Sequence, residues 1–421
     1  MRQSRLAVRA CIAAVRGVAF ACAAGLLVSC SSKDIDPDEL PAELVKFEQS
    51  LKVDRIWRKS VGDSSENLRL ALRPATDGTN VYAAAHDGKM LAVEAGSGKR
   101  VWRTKTGLQL SAGPSTDGKM VVAGSSNGEV VALSAATGEV LWTAAVTSEV
   151  LAPPALAGNT LVVQTVNGKL TALAAETGEV LWSIQRSMPR LSVRGTSAPV
   201  VARNLIITGF DNGRVAAFDI DDGGEVWDVL MDPPTGRTEL DRLIDINARV
   251  IVAGNDVYAV GYQGRLGAIA LESGQLLWSQ ELSSGKDIGI DVGSVFVADQ
   301  FSELVSLSRA SGRELWRRKD VRNRDITGPA VMASSVVVGD FEGYLHWFDL
   351  ESGVLQARAR AGSDRITSQP LVLDDTLYVM TDGGDLCAFR IKPPKLSAAE
   401  KQAARAAERD QSAAGESAES P

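Results

Sequence analysis

A glycine followed four residues later by a tryptophan recurs along the chain: Gly98 and Trp102, Gly138 and Trp142, Gly178 and Trp182, Gly223 and Trp227, Gly274 and Trp278, Gly312 and Trp316. Ten residues before each of these glycines lies an earlier turn, at Asp87-Gly88, Asn127-Gly128, Asn167-Gly168, Asn212-Gly213, Gln263-Gly264 and, as the one poor copy, Phe301-Ser302. Two further units turn at Glu342-Gly343 and Gly383-Gly384. Successive tryptophans lie between 38 (Trp278 to Trp316) and 51 (Trp227 to Trp278) residues apart. Repetition at that period signals a propeller or a solenoid rather than independent domains.

The content of one unit decides between them. Met120 to Gly124 and Glu129 to Leu133 are short Val-rich runs separated by Asn127-Gly128, and a third run, Val140 to Trp142, follows Gly138. Asn and Gly accept the positive φ of tight hairpins, so the pattern is a meandering antiparallel sheet with a fourth strand to complete each blade. Pro74, Pro114, Pro154, Pro199, Pro329 and Pro370 each stand fourteen residues before a first-turn glycine. Proline cannot donate to a ladder, which places it at the first residue of the innermost strand. The expected fold is all-β, an eight-bladed β-propeller of four-stranded antiparallel blades. Trp57 has no unit before it and the last unit has no tryptophan after it, so an N-terminal strand is expected to close the ring within the C-terminal blade. A buried indole removes about 150 to 250 Å² from water, roughly 4 to 6 kcal/mol as an upper bound, which makes the seven slot tryptophans inter-blade anchors. The closing slot after Gly353 departs from the pattern, since four residues on stands Ala357, and the eighth tryptophan, Trp347, sits elsewhere.

The ends give the compartment. Residues 1–29 carry Arg2, Arg5, Arg9 and Arg16, no acid, and an apolar run from Val18 to Val28 too short to span a bilayer. Leu27-Val28-Ser29-Cys30 has the lipobox pattern of a bacterial lipoprotein signal, which makes Cys30 the lipidation site. Ser31 and Ser32 after it, rather than aspartate, favour the outer membrane by the usual sorting rule. The expected organisation is a signal peptide over 1–29, a lipidated tether over 30–51 with one helical turn, the propeller over 52–392, and a disordered Ala- and Glu-rich tail over 393–421. Cleavage would remove four arginines and no acid, taking the formal charge from −7 to −11. That balance argues against nucleic acid, which wants a basic surface. Cys387 is then the one thiol left, so no internal disulfide or thiolate cluster is available.

Chemistry-bearing motifs are few. Ala95 to Arg100 imitates a phosphate loop but lacks its first glycine and its Ser or Thr, and lies in the repeat's turn. His86 and His346, the two histidines, occupy different repeat positions, with no nucleophile elbow beside them. No catalytic residue, metal ligand or cofactor-binding residue is expected.

Ala132 to Trp142 and Ala172 to Trp182 resemble the tryptophan-docking repeat of quinoprotein dehydrogenases, which bind pyrroloquinoline quinone (PQQ). The adjacent cysteine pair found beside the quinone in many of those enzymes has no counterpart here. A lipobox joined to eight such blades is similar instead to the BamB family, outer-membrane lipoproteins of the β-barrel assembly machinery. Leu191-Ser192-Val193-Arg194-Gly195 resembles that family's L-S-L-R-G, and Glu239 to Asn247 resembles its E-x-D-R-L-x-D-x-D. The resemblance implies a non-catalytic scaffold that binds the POTRA region of BamA through Leu191, Val193, Arg194, Asp245 and Asn247, with no cofactor. Leu191 and Val193 are expected as its apolar centre, Arg194 and Asp245 as polar partners at the rim. Asn247 replaces an acidic residue of the family pattern, and Val193 a leucine. The spacing marks the same region: from each tryptophan to the next innermost strand the chain takes mostly 10 to 13 residues, but 17 after Trp182 and 23 after Trp227, with 17 also after Trp57. Long connections on a rigid scaffold are where binding concentrates. A membrane-anchored PQQ-dependent oxidoreductase and a periplasmic ligand-binding or sensor propeller are the alternatives.

Overall fold

Thirty-two strands, β1 to β32 in chain order, pair into eight four-stranded antiparallel sheets. The computed structural model describes residues 40–392 except 66, 67, 69, 71, 190, 232–236 and 239–243. The signal peptide, Cys30, the tail and Glu239 to Leu243 of the second motif lie outside the described residues. Blade 1 spans 75–105, blade 2 110–145, blade 3 155–185, blade 4 200–230, blade 5 251–281, blade 6 289–318 and blade 7 330–360. Blade 8 joins the two ends of the domain: β30 (Leu371–Leu373), β31 (Thr376–Met380) and β32 (Asp385–Ile391) are completed by β1 (Val53–Ser60), paired from Val53 with Ile391 to Ser60 with Asp385. The short first strands of successive blades touch one another and so ring the axis, while the fourth strands form the rim. Pro74, Pro154, Pro199, Pro329 and Pro370 each immediately precede a first strand, as expected, and Pro114 lies inside its strand at an irregularity of the ladder. Ser302 takes the turn's positive φ of 61° without being glycine, which is why the poor copy still turns.

The tryptophans hold blade to blade. The indole N–H groups of Trp57, Trp102, Trp142, Trp182, Trp227, Trp278 and Trp316 donate to the carbonyls of Ala95, Ala135, Ala175, Ile220, Leu271, Arg309 and Leu350 in the following blade, at 2.8 to 3.2 Å. Each ring covers the turn glycine next to its acceptor. A Cβ on Gly98, Gly138, Gly178, Gly223, Gly274, Gly312 or Gly353 would come closer than 3.0 Å to that ring, and all seven glycines have φ between 65° and 75°. The Gly-x-x-x-Trp spacing therefore links two different contacts: the glycine receives one indole, and the tryptophan four residues on delivers the next.

This explains the missing tryptophan at Ala357. Its indole would dock on the turn between the third and fourth strands of blade 8, but those strands are β32 and β1, from opposite ends of the domain, and no turn joins them. In blade 7 the cross-strand pair is inverted. Elsewhere an alanine or serine of the third strand faces the tryptophan, as Ala132 faces Trp142 and Ser306 faces Trp316; here Trp347 faces Ala357. Trp347 is fully buried and packs edge-on against Phe389 of β32, 6.2 Å between centroids.

Residues 42–51, expected within the tether, contain no helical turn and run beside β29 (Leu355–Arg360), the outer strand of blade 7. Leu51 N–H donates to Gln356 O at 3.2 Å, Arg358 donates to Val45 O at 3.0 Å, and the Arg358 guanidinium lies over the Phe47 ring. Beneath them Arg324, 4% exposed, donates to Ala42 O at 3.0 Å and to the buried Asp340 at 2.8 Å, and pairs with Glu342. His346 Nε2 lies 3.0 Å from the same Asp340 oxygen. Burial lowers the His346 pKa, and hydrogen bonds from His346 and from the Tyr344 backbone outweigh burial to hold Asp340 below the usual carboxylate range. His346 is thus a structural partner in the blade 7 core.

Candidate functional site

The connection from β13 (Val180–Gln185) to the first strand of blade 4 crosses one end of the blades and carries the first motif. Leu191 and Val193 hold their side chains in solvent, 41% and 39% exposed. Their presentation is built from behind. Asp245, 0% exposed, accepts the Val193 N–H through Oδ2, and Asn247 Nδ2 donates to Val193 O at 3.2 Å. Both backbone polar groups of Val193 are therefore committed to one facing segment. A Cβ on Gly195 would meet Asn247 Cγ at 3.1 Å, so a larger residue there would press on the clamp.

That facing segment is itself wedged between two blades. Ile244 bridges Asn212 of blade 4, Asp245 bridges Tyr262 of blade 5, and Ile246 N–H donates to Phe210 O at 3.2 Å. The long connection after Trp227 thus ends as a segment bridged to both blades that supports the connection after Trp182. The two lengths flagged in the sequence are halves of one structure.

The structure brings Leu191, Val193, Arg194, Asp245 and Asn247 together, with a change of roles. Arg194 pairs with Glu149 of the preceding connection, and Asp245 lies behind the loop rather than at the rim beside it. Asn247 uses its amide nitrogen on a carbonyl, a contact an aspartate could not make, which gives the departure from the family's acidic residue a local reason. Sequence reasoning missed Glu149, because only the ring sets neighbouring connections side by side. It also missed Asp211, which is 5% exposed, hydrogen-bonded by Ser192 and close enough to Asp245 to feel its charge.

Burial and then the Asp245 charge push Asp211 up to about 7, against the Ser192 hydrogen bond. Burial pushes Asp245 up to about 6, against the Val193 N–H. Both folded-state values lie above the ordinary carboxylate value of about 4, so stability is highest where the pair is neutral and falls as pH rises from about 4 through 7. Asp211→Asn is expected to raise stability at pH 8 by about 1 to 3 kcal/mol and to flatten the fall between pH 5 and pH 8. Thermal melts of both proteins at the two pH values measure it, and parallel pH profiles would refute the coupling.

Beside the loop the rim is unusually apolar. The fourth strands of blades 2 and 3, β9 (Val140–Ala145) and β13, contain no charged residue, whereas the other six outer strands each contain at least one. Val140, Leu141, Val180 and Leu181 are all exposed. Charge is the usual means of keeping an edge strand from pairing, so these two edges are the least protected of the ring. No group of three or more His, Cys, Asp or Glu side chains converges as a metal site among the described residues. Cys387 is buried, and burial pushes its thiol up to about 11, away from nucleophilic use.

Comparison with known proteins agrees with the eight-bladed fold. The family model described as outer membrane protein assembly factor BamB matches residues 87–318 and 300–397. An outer membrane protein assembly factor BamB of Pseudomonas aeruginosa is 43% identical over 367 residues, 87% of this chain and 96% of the relative. The crystal structure of BamB from Moraxella catarrhalis superposes with a TM-score of 0.74 at 24% identity, covering 80% of this chain and all of that one. A quinohemoprotein alcohol dehydrogenase from Pseudomonas putida gives a TM-score of 0.66 at 13% identity, covering 83% of this chain and 78% of its own, which is likeness of fold alone. With the sequence match extending through the clamped loop and most of the ring, the chain belongs to the BamB family of outer membrane protein assembly factors.

Proposed function

We propose that the protein is a non-catalytic scaffold of the outer-membrane β-barrel assembly machinery, lipid-anchored through Cys30 and facing the periplasm, that docks the POTRA region of BamA on the 191–195 loop. The observation that carries the reading is the clamp on Val193. A loop whose backbone is fixed by two side chains from another connection, while Leu191 and Val193 stay in solvent, has its ordering entropy settled before a partner arrives. Leu191 and Val193 supply the apolar centre, Arg194 the charged rim, and Asp245 and Asn247 hold the loop without touching the partner. Anchorage at the membrane sets the ring beside BamA, and the uncharged rim of blades 2 and 3 widens the apolar surface next to the loop.

The test is co-purification of BamA with the tagged lipoprotein from detergent-solubilised envelopes. Leu191→Asp with Arg194→Glu is expected to lower recovered BamA by roughly 30-fold or more, the scale of losing a hot spot, with the thermal midpoint unchanged. Asn247→Ala is expected to weaken binding less, through a loosened loop. Intact co-purification by the double variant would place the docking surface elsewhere.

A further inference from the structure

Arg73, Gly113, Pro153, Ala198, Arg249, Asp287, Gly328 and Gln369 occupy one equivalent repeat position, the residue before the strand-entry slot (74, 114, 154, 199, 250, 288, 329 and 370), and so recur around the axis. Four of the eight, in blades 1, 5, 6 and 8, are polar, and they reach towards one another across the hub. Arg73 of blade 1 approaches Asp287 of blade 6 at 3.9 Å. Arg249 N–H of blade 5 donates to Asp287 Oδ1 at 2.9 Å. Gln369 of blade 8 donates through Nε2 to Ile288 O at 3.0 Å and Pro329 O at 2.6 Å, carbonyls of two other blades. Contacts that skip a blade are possible only where the blades converge.

The cluster is incompletely satisfied in one chemical sense. Arg73 Nη1, Arg249 Nε and Gln369 Oε1 are all buried without a hydrogen-bond partner. Buried polar atoms are rarely left so, and three around one axis is a concentration. Arg249 lies close enough to Arg73 for its charge to be felt there, and Asp287 is the carboxylate Arg73 approaches. Burial, and after it the Arg249 charge, lower the Arg73 pKa to about 9, the sign of a cation short of counter-charge. A purely structural plug would pair its guanidinium N–H groups. The Arg73 and Asp287 side chains remain 22% and 28% exposed, so the cluster of buried atoms borders solvent.

We propose that the propeller hub is a binding site for a small oxyanion that carries its own hydroxyl, namely hydrogen phosphate held by Arg73 and Arg249. The two guanidinium groups supply donors in the planar geometry suited to phosphate. Gln369 sets the further requirement. Its amide nitrogen is committed to two carbonyls, so Oε1 is fixed as an acceptor, and a ligand that completes the site must donate to it. Hydrogen phosphate carries an O–H, whereas acetate and sulfate at neutral pH do not. Arg249 follows Asn247 of the clamp by two residues, but the hub cluster and the clamp use different side chains, and the proposal holds or fails independently of BamA docking.

The full-length lipoprotein in detergent is titrated at pH 7.5 with inorganic phosphate, glycerol phosphate, sulfate or acetate, each against chloride at matched ionic strength. Thermal midpoint and, for phosphate, 31P line width are the readouts. Phosphate at about ten times its dissociation constant is expected to raise the midpoint by about 2 °C or more and to broaden the 31P line, while sulfate and acetate do neither. Glycerol phosphate, whose phosphoryl group is mostly the dianion without an O–H at pH 7.5, is expected to give a smaller shift, and an equal one would overturn the requirement for a donated phosphate hydroxyl. Arg73→Gln with Arg249→Gln is expected to abolish the shift. Gln369→Leu, which leaves both arginines in place, is expected to reduce it at least tenfold in affinity. The proposal is overturned if wild-type protein shows no phosphate-specific shift and no broadening, if sulfate matches phosphate, or if the double arginine variant responds as wild type does.

Discussion

Trp102→Ala is expected to destabilise the propeller by about 3 to 5 kcal/mol, lowering the thermal midpoint by roughly 4 to 7 °C. The side chain is 7% exposed, packs against Tyr82 at 5.9 Å, donates to Ala135 O at 2.8 Å and covers Gly138. Truncation removes the ring from between two blades that cannot collapse together, because their spacing is fixed by neighbours on both sides. It also strands the Ala135 carbonyl. The converse substitution separates this account from a general benefit of large apolar residues. Ala357→Trp restores the repeat's consensus, yet is expected to destabilise by about 1 to 3 kcal/mol, because position 357 is fully buried opposite Trp347 and has no turn glycine to dock on. A stabilised Ala357→Trp protein in denaturant titration would refute the inverted-pair reading.

The second large effect is expected at Arg324. Arg324→Met should cost about 3 to 5 kcal/mol, the scale of breaking a buried ion pair on one side only. The variant leaves Asp340, 0% exposed, facing a neutral imidazole and a neighbouring Glu342, and it frees the Ala42 carbonyl. Because the damage lies in an uncompensated charge, adding Asp340→Asn to Arg324→Met should recover a substantial part of it, a coupling that a double-mutant cycle in urea measures directly. Hydrogen exchange supplies a local readout: amides of 42–51 should lose protection before those of blade 7. If the two substitutions simply added, the network account would fail.

Local repetition was legible in the sequence because it is written in the residues that are hardest to replace. Gly98 and its counterparts answer to both a positive φ and an indole lying on them, and Trp57 alone at the front with a bare blade at the back sufficed to place the closing strand. The Ala357 departure was visible, but its reason was not, since nothing local tells that the blade receiving it is made from two distant pieces. The same limit governs the docking loop. Exposed Leu191, Val193 and Arg194 could be read from a motif, whereas the burial of Asp245, its coupling to Asp211 and the Arg194 pairing with Glu149 depend on connections from three blades meeting on one face. Position 369 shows it most plainly, as its partners at 288 and 329 come from two other blades.

Closure through β1 also imposes an order on assembly. The strand made first during synthesis finds its partner, β32, only after nearly the whole domain has followed it. Blades 1 to 7 each contain all four of their strands in sequence and can form as they emerge, but the ring stays an open arc until the end. During that interval β1 and β32 both expose unpaired backbone, and anything that grips one of them delays maturation without touching any finished blade. A truncation that stops before Asp385 would therefore leave a protein with seven sound blades and a permanent gap, vulnerable to protease at its two loose ends.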